Sequence, residues 1–272
     1  SMALHQMTPY SDLEFAILME DSKDPETLEK HRAYLKQLSH LVHLRVINLG
    51  ETVVPRDKYG VSLDHLSKRG INFDLGGKTP LGRRDKNYDL IQPVGEMLRY
   101  LRNEQGEIAR MDKLLPFILE RSCYVHGDKE LYKAYTEGSK KFLLEEGKTE
   151  QGVPVYQARA REKLLPELDS PGADTAKLRQ LGDLANFTPK FDLGDVGRLY
   201  DVKQEIYRLP DRLLYGLAMY YGLLPESGWN AVDQLLSKQV INETAVPHLQ
   251  YAVSIATLLR LRTYLHHGQQ NE

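Results

Sequence analysis

The chain has 272 residues, 41 % hydrophobic and 27 % charged, proportions that supply a buried core and exclude a disordered or low-complexity protein. Its formal charge of −2 argues against a dedicated nucleic-acid binder, which carries a basic excess. No apolar stretch approaches the roughly 20 residues of a membrane span, no signal peptide is visible, and the single cysteine, Cys123, has no partner for an internal disulfide, which fits a reducing cytosol.

Near the start, Thr8-Pro9-Tyr10-Ser11-Asp12-Leu13-Glu14 leads into the apolar run Phe15 to Met19, which suits a buried strand. Side chains on extended backbone alternate faces, so Asp12 and Glu14 project to one side, roughly 6.5 to 7 Å apart. Two carboxylates so placed repel each other unless a cation lies between them, and the hard cation Mg²⁺ prefers their oxygens. The pair reads as half of a Mg²⁺ site. Its plainer reading is a solvated acidic strand start.

Asp24-Pro25-Glu26 then starts a helix: an N-cap, proline in the first turn, and an acid at the positive end of the dipole. Apolar Leu28, Leu35, Leu38 and Val42 continue it to about Leu44. Val46 to Leu49 is expected as a short strand ending at Gly50, and Phe73 to Leu75 as another, cut short by Gly76-Gly77. Beyond Asp89 the pattern is helical: Ile91 to Asn103, Met111 to Tyr124, Lys129 to Glu146, Tyr156 to Leu168, Thr175 to Asn186, Leu199 to Arg208, Asp211 to Tyr221, Gly228 to Gln239 and Ala245 to His267. Gly147 to Gly152 is expected to be a flexible loop. The fold class that follows is α+β, a small mixed-sheet domain over residues 1–88 followed by an all-α helical bundle over residues 89–272.

Ser11-Asp12-Leu13-Glu14, with Ser1 eleven residues before Asp12, resembles the core signature of the nucleotidyltransferase superfamily. That signature is a Gly-Ser pair, a short helical turn, and Ser-Asp-(Leu/Ile)-(Asp/Glu) opening a strand. The motif glycine would precede Ser1, so the chain is expected to begin inside the signature. Gly70-Ile71-Asn72-Phe73-Asp74-Leu75-Gly76-Gly77-Lys78 is similar to the third-carboxylate segment of the group related to bacterial uridylyltransferases and adenylyltransferases. Asp201-Val202-Lys203 resembles the Asp-x-Lys helix of that group's C-terminal helical domain, and Leu258 to Arg262 fits its last helix.

The resemblance implies a Mg²⁺-dependent transfer of a nucleoside monophosphate from ATP or another nucleoside triphosphate to a hydroxyl of a protein or small molecule, in the cytoplasm, with no membrane partner and nucleic acid not expected. It assigns Asp12, Glu14 and Asp74 as catalytic and metal-binding, with Asp74 as or near the general base. Ser1, Ser11, Lys78 and Lys203 would contact nucleotide phosphates. Each has a plainer counterpart: Asp74 as a turn residue, Ser11 as a cap on its turn, Lys203 as an exposed lysine. The rival reading of the chain is a regulatory or protein-interaction module that keeps the fold without turnover.

Three other patterns are set aside. Gly76-Gly77-Lys78-Thr79 ends like a P-loop, but Asn72 stands where the first glycine belongs and Pro80 follows at once. Arg262 and His267, with four residues between them, have the spacing of a ribonuclease motif but suit a helix C-terminus equally well. His40/His43 and His266/His267 lack the i,i+4 spacing of a helical zinc site.

Overall fold

The computed structural model describes residues 2–8, 11, 14–47, 90–111, 114–150, 152–164, 187, 197 and 199–268. After a single turn at Met2–Leu4, strand β1 is Ile17–Met19 and helix α1 is Pro25–Ile47. The expected start of α1 is present: Asp24 Oδ1 and Oδ2 accept from the backbone N–H of Glu26 and Thr27 at 3.2 and 3.1 Å. These two donors have no partner within the helix, so the carboxylate completes its first turn. A further bond from the Thr27 hydroxyl, with the Glu26 N–H, holds the Asp24 carboxyl below its ordinary value.

The helix runs on through Val46 and Ile47, which corrects the strand expected there. β-branched residues raise strand propensity only weakly, and a helix already propagating overrides it. The expected strand at Phe73 to Leu75 and the helix at Thr175 to Asn186 lie outside the described residues.

Ile91–Pro93 forms β2, not the first turn of a helix as the periodicity suggests. It pairs parallel with β1, in the register Ile17 to Ile91, Leu18 to Gln92 and Met19 to Pro93. All three of its residues are buried, so both faces of the strand are covered, and the buried Gln92 amide donates to the Tyr100 hydroxyl at 3.1 Å. Arg32 of α1 clamps it, donating through Nε to the Ile91 carbonyl at 3.2 Å and through Nη2 to Gln92 Oε1 at 3.0 Å. Among the described residues, β1 and β2 form one small sheet, and the other long elements are helices.

Helix α2, Val94–Arg102, follows directly and ends at Asn103 in the left-handed region, a conformation asparagine tolerates. Short helices α3 (Glu107–Met111) and α4 (Leu115–Ile118) come next. Met111 to Tyr124 is therefore not one helix: among its described residues, chain 119–124 leaves α4 as irregular backbone. Helix α5, Lys129–Lys140, is capped by Asp128, whose Oδ1 accepts from Glu130 N at 2.7 Å.

α5 runs into a π-helical turn at Lys141–Glu146, closed by a bond from Gly147 N to the Phe142 carbonyl at 2.9 Å. A Cβ on Gly147 would stand 2.2 Å from that carbonyl oxygen, so only glycine fits. The segment beyond it is a tight antiparallel reversal rather than a loose loop: Lys148 bridges Pro154, and Thr149 N donates to the Val153 carbonyl at 2.8 Å. Helix α6 is Val155–Leu164.

A second π-helical turn, Val202–Tyr207, leads without a break into α7, Arg208–Tyr220. The break expected before Asp211 is absent. Pro210 lies just past the junction of the π-helical turn with α7. Helices α8 (Gly228–Ser237) and α9 (Ala245–His267) close the chain.

Three apolar clusters hold these elements. Met97, Leu98, Leu101, Ile108, Leu115 and Tyr135 join α2 to α5. Leu4, Leu143, Val155, Ala160, Tyr215 and Met219 tie the N-terminal turn to α6 and α7. Leu214, Ala218, Ala231, Val232, Leu235 and Val253 join α7, α8 and α9. Among the described residues no helix is long and apolar enough to cross a membrane.

Candidate functional site

The described residues ahead of β1 make several tertiary and turn contacts. Ser11 N donates to the Thr8 carbonyl at 3.2 Å, and the Ser11 and Thr8 hydroxyls lie 2.8 Å apart, forming a buried turn. The sequence left Ser11 open between phosphate ligand and turn cap, and with 8 % of its surface exposed it is a turn residue bonded to Thr8. Upstream, Gln6 is buried and its Oε1 accepts from the Tyr207 hydroxyl at 3.4 Å. That bond links the N-terminal segment to the turn carrying Asp201 and Lys203.

Glu14 is exposed, three residues before β1. Asp12, Asp74, Ser1 and Lys78 lie outside the described residues. Asp201 caps its turn: its Oδ1 accepts from Gln204 N at 2.8 Å, and its own N–H donates to Glu205 Oε2 at 2.9 Å. Both bonds satisfy groups at a helix start. Lys203 sits half-buried in that turn, its carbonyl accepting from Arg208 N.

A constellation without a sequence signature lies between α4, α6 and α7. Glu120 has no exposed side-chain surface, and its two oxygens meet two cations from α6. Arg159 Nη1 reaches Oε1 at 3.1 Å, and Lys163 Nζ binds Oε2. Arg159 and Lys163 are one turn apart, which places them side by side on a helix face. Arg159 also donates to the carbonyls of Leu101 at 2.6 Å and Pro116 at 3.4 Å, and packs near Phe117 and Phe142. It is a structural cation with its donors largely used.

Two further cations stand beside this triad. The Arg121 guanidinium lies 3.5 Å from the centre of the Tyr215 ring, a cation–π contact. Arg212 of α7 approaches Asp211 at a loose 3.9 Å. Burial brings the Lys163 ammonium down to about 8, with Arg121 and Arg212 pushing the same way and Glu120 opposing. Removal from water disfavours a charged amine.

Buried tyrosines cross the same region. Burial pushes the Tyr215 hydroxyl above its ordinary value, with Arg121, whose guanidinium lies against the ring, opposing the shift. Burial likewise raises Tyr207 to about 12. Arg260 of α9, itself buried, lies 4.5 Å from the Tyr207 ring centre and donates through Nε to the Tyr264 hydroxyl at 3.1 Å. A narrow recess between Leu4, Asp211, Tyr215 and Ser227 is too tight to admit water.

Among the described residues no three His, Cys, Asp or Glu side chains are grouped to hold a metal ion. The resemblance assigns Mg²⁺ to Asp12, Glu14 and Asp74, of which only Glu14 is described. It is exposed to solvent, and an all-carboxylate donor set fits that hard cation. Neither protein-family models nor curated proteins match this chain.

Proposed function

We propose that this chain is a Mg²⁺-dependent nucleotidyltransferase that moves a nucleoside monophosphate from a nucleoside triphosphate to a hydroxyl of a protein or small molecule. The carrying observation is that the described residues flanking the acidic motif are held in place. Ser11-Asp12-Leu13-Glu14 follows a buried turn tied through Gln6 to the Lys203-bearing turn, and it leads into a strand of a parallel pair. Described residues on either side of the acidic motif are held by these contacts, which an ordinary solvated strand start does not need.

Asp12, Glu14 and Asp74 would hold the cation, which would supply charge neutralisation and polarisation at the α-phosphate. The acceptor oxygen then bonds to the α-phosphorus, the bond to the β-phosphate oxygen breaks, and pyrophosphate leaves. Asp74 takes the acceptor's proton. Lys203 supports the triphosphate from the helical part, and Ser1 and Lys78 meet its oxygens.

One observation favours a second reading, a nucleotidyltransferase-fold interaction module without turnover: the Ser11 hydroxyl is buried and already paired with Thr8. Calorimetric titration of ATP and UTP, each with Mg²⁺, into wild type, Asp12→Ala and Glu14→Ala separates the two. Binding lost in both variants supports the enzyme. Equal binding by all three proteins, or none by wild type, removes the site assignment and leaves the module.

A further inference from the structure

We propose that the outward face of α1 pairs with the same face of a second copy of this chain, the two helices running antiparallel. The inference does not rest on nucleotidyl transfer. A surface helix ordinarily turns its apolar stripe to the core and its polar side to water. Over its second half α1 does the reverse. Ser39 and His43 are buried, and Arg32 reaches inward to β2. Tyr34 is 65 % exposed, and Leu38, Leu41, Val42 and Leu44 each keep 40–51 % of their surface open. Exposed leucines scattered singly are ordinary, but a contiguous apolar patch marks a contact surface.

The spacing names the partner. Tyr34, Leu38, Leu41 and Arg45 recur at intervals of four, three and four residues, the alternation of a two-stranded coiled-coil seam. Antiparallel pairing about the midpoint between Ser39 and His40 sets Leu38 of each copy against Leu41 of the other. The same register lays the exposed Arg45 of each copy over the Tyr34 ring of the other, a cation–π contact. A parallel pair would instead oppose Arg45 to Arg45, two like charges. Val42 and Leu44 widen the apolar contact on either side of the seam. The pair buries on the order of 1,000 Å², the lower bound of a specific interface, and like patches meet, as a two-fold dimer requires.

Sedimentation equilibrium of the full chain between about 1 and 100 μM, the weak end for interfaces of this kind, tests the pairing. Wild type is expected to be a dimer that dissociates on dilution. Leu38→Lys and Leu41→Lys are expected to weaken it by on the order of a hundredfold, since each change falls on both copies. Leu265→Lys, at an exposed position of α9, is the control and is expected to pair like wild type. Circular dichroism verifies that each variant is folded. Direction is read by disulfide capture in a Cys123→Ser background. A mixture of Tyr34→Cys and Arg45→Cys proteins is expected to cross-link, and neither protein alone, because antiparallel helices hold the two copies of either position about 16 Å apart along the axis. A monomeric wild type, dimers indifferent to both lysines, or Tyr34→Cys joining to itself overturns the proposal. A monomer whose lysine variants melt below wild type identifies the chain's own residues as the cover of the stripe, and overturns it as well.

Discussion

The Glu120 carboxylate, without exposed side-chain surface, meets the Arg159 guanidinium at 3.1 Å across a separation of 39 residues. The contact fastens the end of α4 to α6, and Lys163 completes it from the next turn. Taking three charges out of water is expensive, and each one depends on the others for compensation.

Removing one member therefore costs far more than the pair contributes on balance. Glu120→Ala leaves two cations buried, and is expected to destabilise the fold by about 3–5 kcal/mol. Urea unfolding measures this against Glu145→Ala, an exposed control, expected to lie within about 0.5 kcal/mol of wild type.

Lys163 makes stability depend on pH in a defined direction. Its folded value, about 8, lies below the ordinary 10.5, so between these limits the unfolded chain binds more protons and stability rises with pH. The penalty is fully present below pH 8 and is relieved above it. Lys163→Met removes this rise. Chemical denaturation of both proteins at pH 7, 8, 9 and 10 checks it: parallel profiles would show that the amine titrates normally.

Tyr207, raised to about 12, and the likewise raised Tyr215 and Tyr135 act in the opposite sense. Their folded forms hold the proton more tightly than the unfolded chain, so their stabilisation is complete below the ordinary tyrosine value and is lost as pH climbs beyond it. Ultraviolet titration is expected to show a late, cooperative tyrosinate step coinciding with loss of helical circular dichroism. A smooth titration near pH 10 with the helices intact would contradict this burial.

Gly216 sets how closely α6 and α7 approach. A Cβ there would stand 2.6 Å from Leu164 Cγ and 2.7 Å from both of its methyl carbons, so Gly216→Ala is expected to cost about 1–3 kcal/mol through overpacking. Leu164→Ala opens the space at its own cavity cost. The double variant should be more stable than the sum of the two single losses predicts. Additive losses would mean that the two residues do not share the clash.

Much of the fold was legible because its signals are local. Asp24-Pro25 marks the start of α1, and the apolar spacing from Ala245 to His267 gives the bounds of α9, since caps and helical periodicity act over one turn. Ile91–Pro93 was not legible as a strand. Three buried residues fit either period, and their pairing partner lies more than seventy positions upstream. Ser11 was legible as a turn residue or a phosphate contact, and its hydroxyl lies 2.8 Å from that of Thr8.

Chain order was enough to set the helical character of the second part, because spacing carries it. Which charges are stripped of water was settled by packing alone. Arg159 and Lys163 share a face of α6, but nothing in that local pattern encodes their encounter with Glu120, 39 residues before Arg159. Their energies come from desolvation and mutual distance, quantities that exist once α4, α6 and α7 have closed on one another.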